Sequence, residues 1–361
     1  MKWFVIFFLL STSCFSQTWE NVTSLIHSEK DKLYTHADLV VSRSQEVLFD
    51  FKTGEGSVFD LASLTKVVAT TTAVMILVEK GKLKLSDKLS KFIPDFNVKG
   101  KNLITIEDLL RHQAGFQSGL PYLADETFSS YIKRIAQGPL KYVPRTRMIY
   151  SDLGFILLGE VIQRVTKKSL ESFCEDEIFK PLQMFETSFN PIKKSKYDCV
   201  STLTDRTCLA HDPTAAYFYP ISLGHAGLFS TKSDLASFVK MLLNEGVSDN
   251  QRILSQKSIE LMTSLPKGKE RGLGWDISSH ASVNPRGDYF PPVISFGHTG
   301  YTGTTVWVDP STKTFYIFLS NRTFLGDEET RLSFSNFRKK LSDEVGKTLF
   351  SPPMKEPNFN F

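Results

Sequence analysis

No metal-binding signature, no long run of basic residues and no segment that reads as transmembrane occurs in the 361 residues of this chain, the apolar N-terminal stretch being too short to span a bilayer. Each absence closes a class of function. There is no His-Glu-x-x-His and no cysteine–histidine spacing suited to a metal, so zinc chemistry has no support in the sequence. Lysine and arginine outnumber aspartate and glutamate by only four, and the charges are mixed along the chain, so nothing points to a nucleic-acid partner. Cysteine is scarce as well, with four residues in all.

What remains is the composition of an ordinary globular protein, 41% apolar and 23% charged, long enough to bury one large core or two intimately joined ones. The N-terminus reads as an export signal over residues 1–16, with Lys2, an apolar core from Trp3 to Leu10, and the small-residue stretch Ser11 to Ser16. Cleavage after Ser16 releases a periplasmic or secreted protein. Cleavage before Cys14 leaves a cysteine for lipidation and a membrane tether, although the residues before it match a lipoprotein box only loosely. Export permits disulfides, and Cys199 and Cys208 bracket a short polar loop that a bridge could close, leaving Cys174 as a buried thiol.

The chemistry is concentrated at Ser63-Leu64-Thr65-Lys66, where a hydroxyl and an amine stand three residues apart and so stack one turn apart on a helix. A serine hydroxyl needs such a partner to act as a nucleophile at neutral pH. The same spacing recurs at Ser130/Lys133, Ser237/Lys240 and Ser264/Lys267, but only Ser63 follows a strand-like run and opens a long apolar segment, Val67 to Val78. That predicts Ser63 at the N-terminus of a buried helix, where free amides and the helix dipole favour an oxyanion. An N-cap serine explains the position equally well.

Farther along, Asp38 to Ser42 and Glu46 to Phe51 read as paired strands, and Thr105-Ile106-Glu107-Asp108 resembles a capping box opening a helix that Gly115 ends. His112 sits where a structural helix-end histidine is expected. Tyr150 and Asp152, on an extended segment just before the helix Phe155 to Val165, point a phenol and a carboxylate the same way. They read as an acid–base pair or as an aromatic anchor with an N-cap aspartate. Glycines flank His225, which implies close backbone packing against a site wall or the core. The strands of the last third hold Phe296-Gly297-His298-Thr299-Gly300-Tyr301, with small residues that let a ligand lie against a strand edge. A final helix, Arg331 to Leu349, carries the stripe Phe337, Leu341, Val345 and Leu349.

Together, Ser63-x-x-Lys66, Tyr150-x-Asp152 and His298-Thr299-Gly300, in this order and at these separations, resemble the three signature motifs of the β-lactamase-related serine hydrolases. That group spans class C β-lactamases, low-molecular-weight penicillin-binding proteins and esterases. The resemblance implies an α/β (α+β) fold in which an antiparallel sheet is covered by the N- and C-terminal helices. A helical subdomain, about residues 81–245, would be inserted between sheet-forming parts 17–80 and 270–350, with 351–361 a loose tail. It also implies Ser63 as nucleophile, Lys66 as its activating partner, Tyr150 as general base, and the amides of Ser63 and Tyr301 as oxyanion hole. His298, Thr299 and Gly300 would bind substrate, and neither metal nor organic cofactor would be needed.

Three positions depart from the commoner pattern. Asp152 replaces an asparagine, and its charge is expected to raise the lysine pKa and favour tyrosine as base. Arg145 follows Pro144 where glycine is frequent, with no evident chemical consequence. His298 replaces a lysine, which leaves that motif without a permanent positive charge and favours neutral esters over anionic peptides. Export favours peptidoglycan-type peptides or β-lactams as substrates, His298 favours short acyl esters, and a non-catalytic binding protein keeping the fold is the alternative outside enzymology.

Overall fold

The computed structural model describes residues 19–192, 198–205, 207–249, 251–269, 271–277, 284–326 and 328–350. The export signal, Cys14 and the tail 351–361 lie outside the described residues. The first elements are helix α1 (Glu20–Glu29) and strands β1 (Ala37–Arg43) and β2 (Glu46–Lys52), followed by helix α2 (Thr72–Glu79). Helices α3 (Ile106–Leu110) and α4 (Asp152–Thr166) belong to the middle of the chain. The last third supplies β3 (Phe296–Thr299), β4 (Thr305–Asp309), β5 (Thr314–Ser320) and the long helix α5 (Glu328–Leu349).

Five strands form one antiparallel sheet in the order β2-β1-β5-β4-β3. The first strand of the chain therefore lies beside the last, with Leu39 opposite Phe318 and Val41 opposite Tyr316. Strand alternation sorts the side chains onto two faces. Leu39, Val41, Trp307, Tyr316 and Phe318 join Val22, Ile26, Phe337, Leu341 and Val345 in one apolar cluster, so α1 and α5 cover that face. Val40, Val306, Val308, Phe315, Ile317 and Leu319 belong to the other and larger cluster, shared with α2, α3 and α4. The central strands are buried on both sides, which explains why they read as nearly continuous apolar runs.

The capping box is present. Thr105 Oγ1 accepts from Asp108 N–H, and Asp108 Oδ2 accepts from Thr105 N–H at 2.9 Å. Arg145 takes a positive φ of 71°, the conformation glycine tolerates best, and its guanidinium holds both Asp108 oxygens at 2.8 Å. Arg145 thus has a consequence that its sequence context hides, because it ties the approach to Tyr150 onto α3. The disulfide Cys199–Cys208 is formed and Cys174 is buried. The segment Ala62–Glu79 is apolar and long enough to cross a membrane by composition, but it is 83% buried inside the protein, as a core helix is.

Candidate active site

The chain enters the site through a short strand, Phe59–Asp60, and a single 3-10 turn, Ala62–Leu64, that carries Ser63. A wider π-helical turn, Lys66–Thr71, then leads into α2. The expected regular helix start is therefore two irregular turns, and Ser63 makes no capping hydrogen bond. Ala62 is held at φ 46°, a conformation that costs a non-glycine residue about 1–3 kcal/mol and persists only where neighbours enforce it. The neighbours are visible: Asp60 Oδ1 accepts from Ala62 N–H at 2.8 Å, and Thr302 and Thr304 hydroxyls donate to the carbonyls of Asp60 and Leu61 at 2.6 and 3.0 Å. Burial holds the Asp60 carboxyl pKa above the usual carboxylate range, even though it accepts from the His211 and Ala62 amides.

Those threonine bonds press the serine turn against the end of β3. Gly300 is required there, since a Cβ would overlap both the Leu61 carbonyl oxygen and Thr304 Oγ1. Arg338, from α5, donates to the carbonyls of Gly300 and Thr304 from behind.

Lys66 is fully buried, and its three ammonium protons have three acceptors: Asp152 Oδ1 at 2.7 Å, Ser63 Oγ at 2.9 Å and the His225 carbonyl at 2.9 Å. An ammonium has three donors and no lone pair, so this geometry is that of the charged form. Burial alone would lower the Lys66 pKa, but Asp152 and Tyr150 outweigh it and the net shift is upward. The glycine-flanked His225 thus forms a site wall through its carbonyl, while its Nε2 meets Asp212 Oδ1 at 2.9 Å. Gly224 is there because Phe155 and Gly159 approach it too closely for a side chain.

Tyr150 precedes α4, whose first residue is Asp152, so the phenol and the carboxylate reach the same lysine from one extended segment. Lys66 Nζ lies 5.0 Å from the Tyr150 ring centre. The Tyr150 hydroxyl is buried and has no hydrogen-bond partner, which leaves it available to a reacting group. His298 donates from Nδ1 to the Thr299 carbonyl at 2.9 Å, and its Nε2 is buried without a partner. Burial and the nearby Arg271 and Lys66 push its pKa well below the ordinary histidine value. Tyr301 is 41% exposed at the rim, and its amide donates to no acceptor among the described residues.

A cleft of about 280 Å³ joins these groups, lined by Ser63, Tyr150, Arg271, Asp276, His298, Thr299, Gly300, Tyr301 and Arg338. All three motifs meet there, with Lys66 and Asp152 directly beneath Ser63 and Tyr150. Arg271 and Asp276 were not legible as site residues. Arg271 donates from Nε to the Gly274 carbonyl at 3.1 Å, stands 3.9 Å from Asp276, and lies 5.5 Å from the Tyr150 ring. Arg271 thus brings a guanidinium into the cleft, although the third motif itself carries no permanent positive charge at His298. The other Ser-x-x-Lys matches stand elsewhere: Ser130 and Ser237 lie within helices Phe128–Gln137 and Lys232–Leu243, and Ser264 is a helix C-cap whose Lys267 falls beyond the helix.

A buried lysine that bridges a serine and an aspartate, beside a tyrosine and a strand ending in His-Thr-Gly, defines a serine hydrolase with a lysine partner. Residues 35–335 match the Beta-lactamase family, and the chain belongs to it. It is 33% identical over 300 residues to a Salmonella agona protein named "Putative D-alanyl-D-alanine carboxypeptidase", covering 74% of this chain and 69% of that one. A protein of the same name from Escherichia coli is 32% identical over 305 residues, 75% and 70% of the two chains. Among solved structures, "EstCE1, a hydrolase with promiscuous acyltransferase activity" superposes with a TM-score of 0.73 at 18% identity, over 92% of this chain and 100% of its own. A penicillin-binding protein homolog from Caulobacter crescentus does so with 0.69 at 18%, over 92% and 97%. At these identities the last two bear on the fold. The chain is an enzyme of the β-lactamase-fold serine hydrolases.

Proposed function

We propose that the enzyme hydrolyses peptides ending in a D-amino acid carboxylate, of the D-alanyl-D-alanine type, or the β-lactams that resemble them, through an acyl-enzyme on Ser63. The observation that carries this reading is the Arg271 guanidinium in the cleft beside Ser63, with neutral His298 where a lysine would otherwise carry the charge. A substrate carboxylate placed against Arg271 would set its scissile carbonyl toward Ser63. The names of the two carboxypeptidase relatives support the same class.

In this mechanism Lys66 cannot be the base, because all three of its protons are engaged and it has no lone pair to offer. Tyr150, entering the step as the phenolate that the neighbouring Lys66 ammonium favours, takes the proton from Ser63 Oγ as the carbonyl is attacked, and gives it to the departing amine as the C–N bond breaks. The amides of Ser63 and Tyr301 hold the oxyanion. Water then attacks the acyl-enzyme, Tyr150 accepts its proton, and that proton returns to Ser63. Lys66 and Asp152 stay an ion pair throughout and hold Ser63 Oγ in place.

An exported enzyme fits this substrate, and the Cys199–Cys208 disulfide supports an oxidising compartment. We include export in the proposal, with a membrane tether if Cys14 is lipidated. The test is release of D-alanine from diacetyl-L-lysyl-D-alanyl-D-alanine by the wild-type chain and by Arg271→Gln, with neutral p-nitrophenyl acetate as reference. Loss of a charge-assisted hydrogen bond of about 1.5–3 kcal/mol predicts a drop of roughly 10–150-fold in kcat/KM on the peptide and little change on the ester. Equal losses on both, or no D-alanine released by the wild type, would contradict the reading and favour an esterase.

A further inference from the structure

His112 holds the segment around Tyr150 by three contacts. Its carbonyl accepts from Ile149 N–H at 2.9 Å, and its ring Nδ1 accepts from Ser151 N–H at 3.0 Å, so the residues on either side of Tyr150 are both bonded to this one side chain and its backbone. Between those bonds the imidazole stacks on the Tyr150 ring, with centroids 4.4 Å apart and planes inclined by 29°. We propose that His112 is a positioning residue for Tyr150, fixing the direction of the catalytic phenol toward Ser63.

The backbone and the ring of His112 do different work. At φ 56° it follows the last turn of α3, where its N–H and that of Gln113 donate to the Leu109 and Asp108 carbonyls at 3.1 and 2.8 Å and close the helix, while its ring faces Tyr150. The ring is buried and packs against Phe155 on the same helix that carries Asp152. Accepting a backbone N–H through Nδ1 requires the neutral ring with its proton on Nε2. The neutral form is favoured here, because burial and the neighbouring Arg271 and Lys66 cations push the His112 pKa well below the ordinary value. Two cations also stand near the phenol ring, with Lys66 Nζ and Arg271 Cζ 5.0 and 5.5 Å from the Tyr150 ring centre. Without its histidine backing the phenol would be free to turn about its side-chain torsions. A displacement of about 1 Å in such a group can cost on the order of a hundredfold in rate.

The inference rests on the role given to Tyr150, and a double-mutant cycle separates the two. Two variants each remove one contact: His112→Phe keeps a stacking ring but no acceptor, while His112→Asn keeps an acceptor, loses the ring and tolerates positive φ. Each is made in the wild-type and in the Tyr150→Phe chain and followed by kcat and KM on p-nitrophenyl acetate, an ester that does not depend on Arg271. Thermal melts establish that the proteins are folded. The expected result is a fall of about 10–100-fold in kcat with KM within about twofold in the wild-type background, and less than threefold in the Tyr150→Phe background, where there is no phenol left to aim. Equal falls in both backgrounds would overturn the positioning role and leave His112 as a structural residue. A fully active Tyr150→Phe chain would remove the general-base reading and this inference with it.

Discussion

Replacing Asp152 by alanine strips the partner from a fully buried ammonium, and the structure sets both the size and the pH dependence of the loss. In the wild-type chain Lys66 is held above its ordinary pKa by an ion pair at 2.7 Å. Its contribution is therefore complete below the ordinary lysine value and is lost only as pH rises past that through the folded value. In Asp152→Ala, burial acts without the carboxylate and the shift reverses. The folded chain then keeps Lys66 neutral while the unfolded chain binds a proton, so stability rises with pH. The part of the cost that comes from keeping Lys66 neutral, and that depends on pH, is capped by the work of removing its proton: about 4 kcal/mol at pH 7.5, close to three units below the ordinary lysine value, and about 1 kcal/mol at pH 9.5. Water reaches about a third of the Asp152 side chain, and by solvating the space left behind it should bring the value at pH 7.5 to about 2–3 kcal/mol. Urea denaturation of both chains at the two pH values is the assay, with Asp152→Asn, which keeps an acceptor, expected to lose about half as much. A loss below about 0.5 kcal/mol at pH 7.5, or the same loss at both pH values, would refute the reasoning.

Ser63→Ala should leave the thermal transition within a degree or two of wild type, because the hydroxyl caps no helix and Lys66 retains Asp152 and the His225 carbonyl; a drop of ten degrees would mean that Ser63 is structural. Alkylation of the denatured, unreduced protein should modify Cys174 and neither Cys199 nor Cys208, and modification of all of them would remove the bridge. Replacing both bridged cysteines by serine should cost about 2–3 kcal/mol on the chain-entropy scale for so short a loop, read from urea denaturation, and an unchanged midpoint would show that the native contacts of this loop hold it without the bond.

What could be read from the chain is what it encodes locally. The strands β1, β2, β4 and β5 follow from short apolar runs bounded by turn residues, the stripe on α5 follows from four-residue spacing, and the capping box at Thr105 is written in four consecutive residues. The three motifs were legible because each is contiguous and their order is restrictive. The irregular start at Ser63 was not, because the entry to its 3-10 turn is held by hydroxyls from Thr302 and Thr304 far along the chain. Arg271 and Arg338 were missed for a related reason. Nothing local separates them from other basic residues, and only tertiary contacts hold them at the cleft, Arg271 on the Gly274 carbonyl and Arg338 on the Gly300 carbonyl. His112 was assigned to the helix end by its sequence position, and its backbone does close α3 there, but that position gave no sign that its ring would turn toward a tyrosine 38 residues away.

The claim at the centre is that Ser63 carries the acyl group. Intact-mass analysis followed by peptide mapping, after incubation with a fluorescent penicillin and separately with an organophosphonate ester, tests it directly. The account predicts a single adduct on the peptide that contains Ser63, absent from the Ser63→Ala chain with either reagent. An adduct on another residue, or labelling of Ser63→Ala at the wild-type rate, would contradict it.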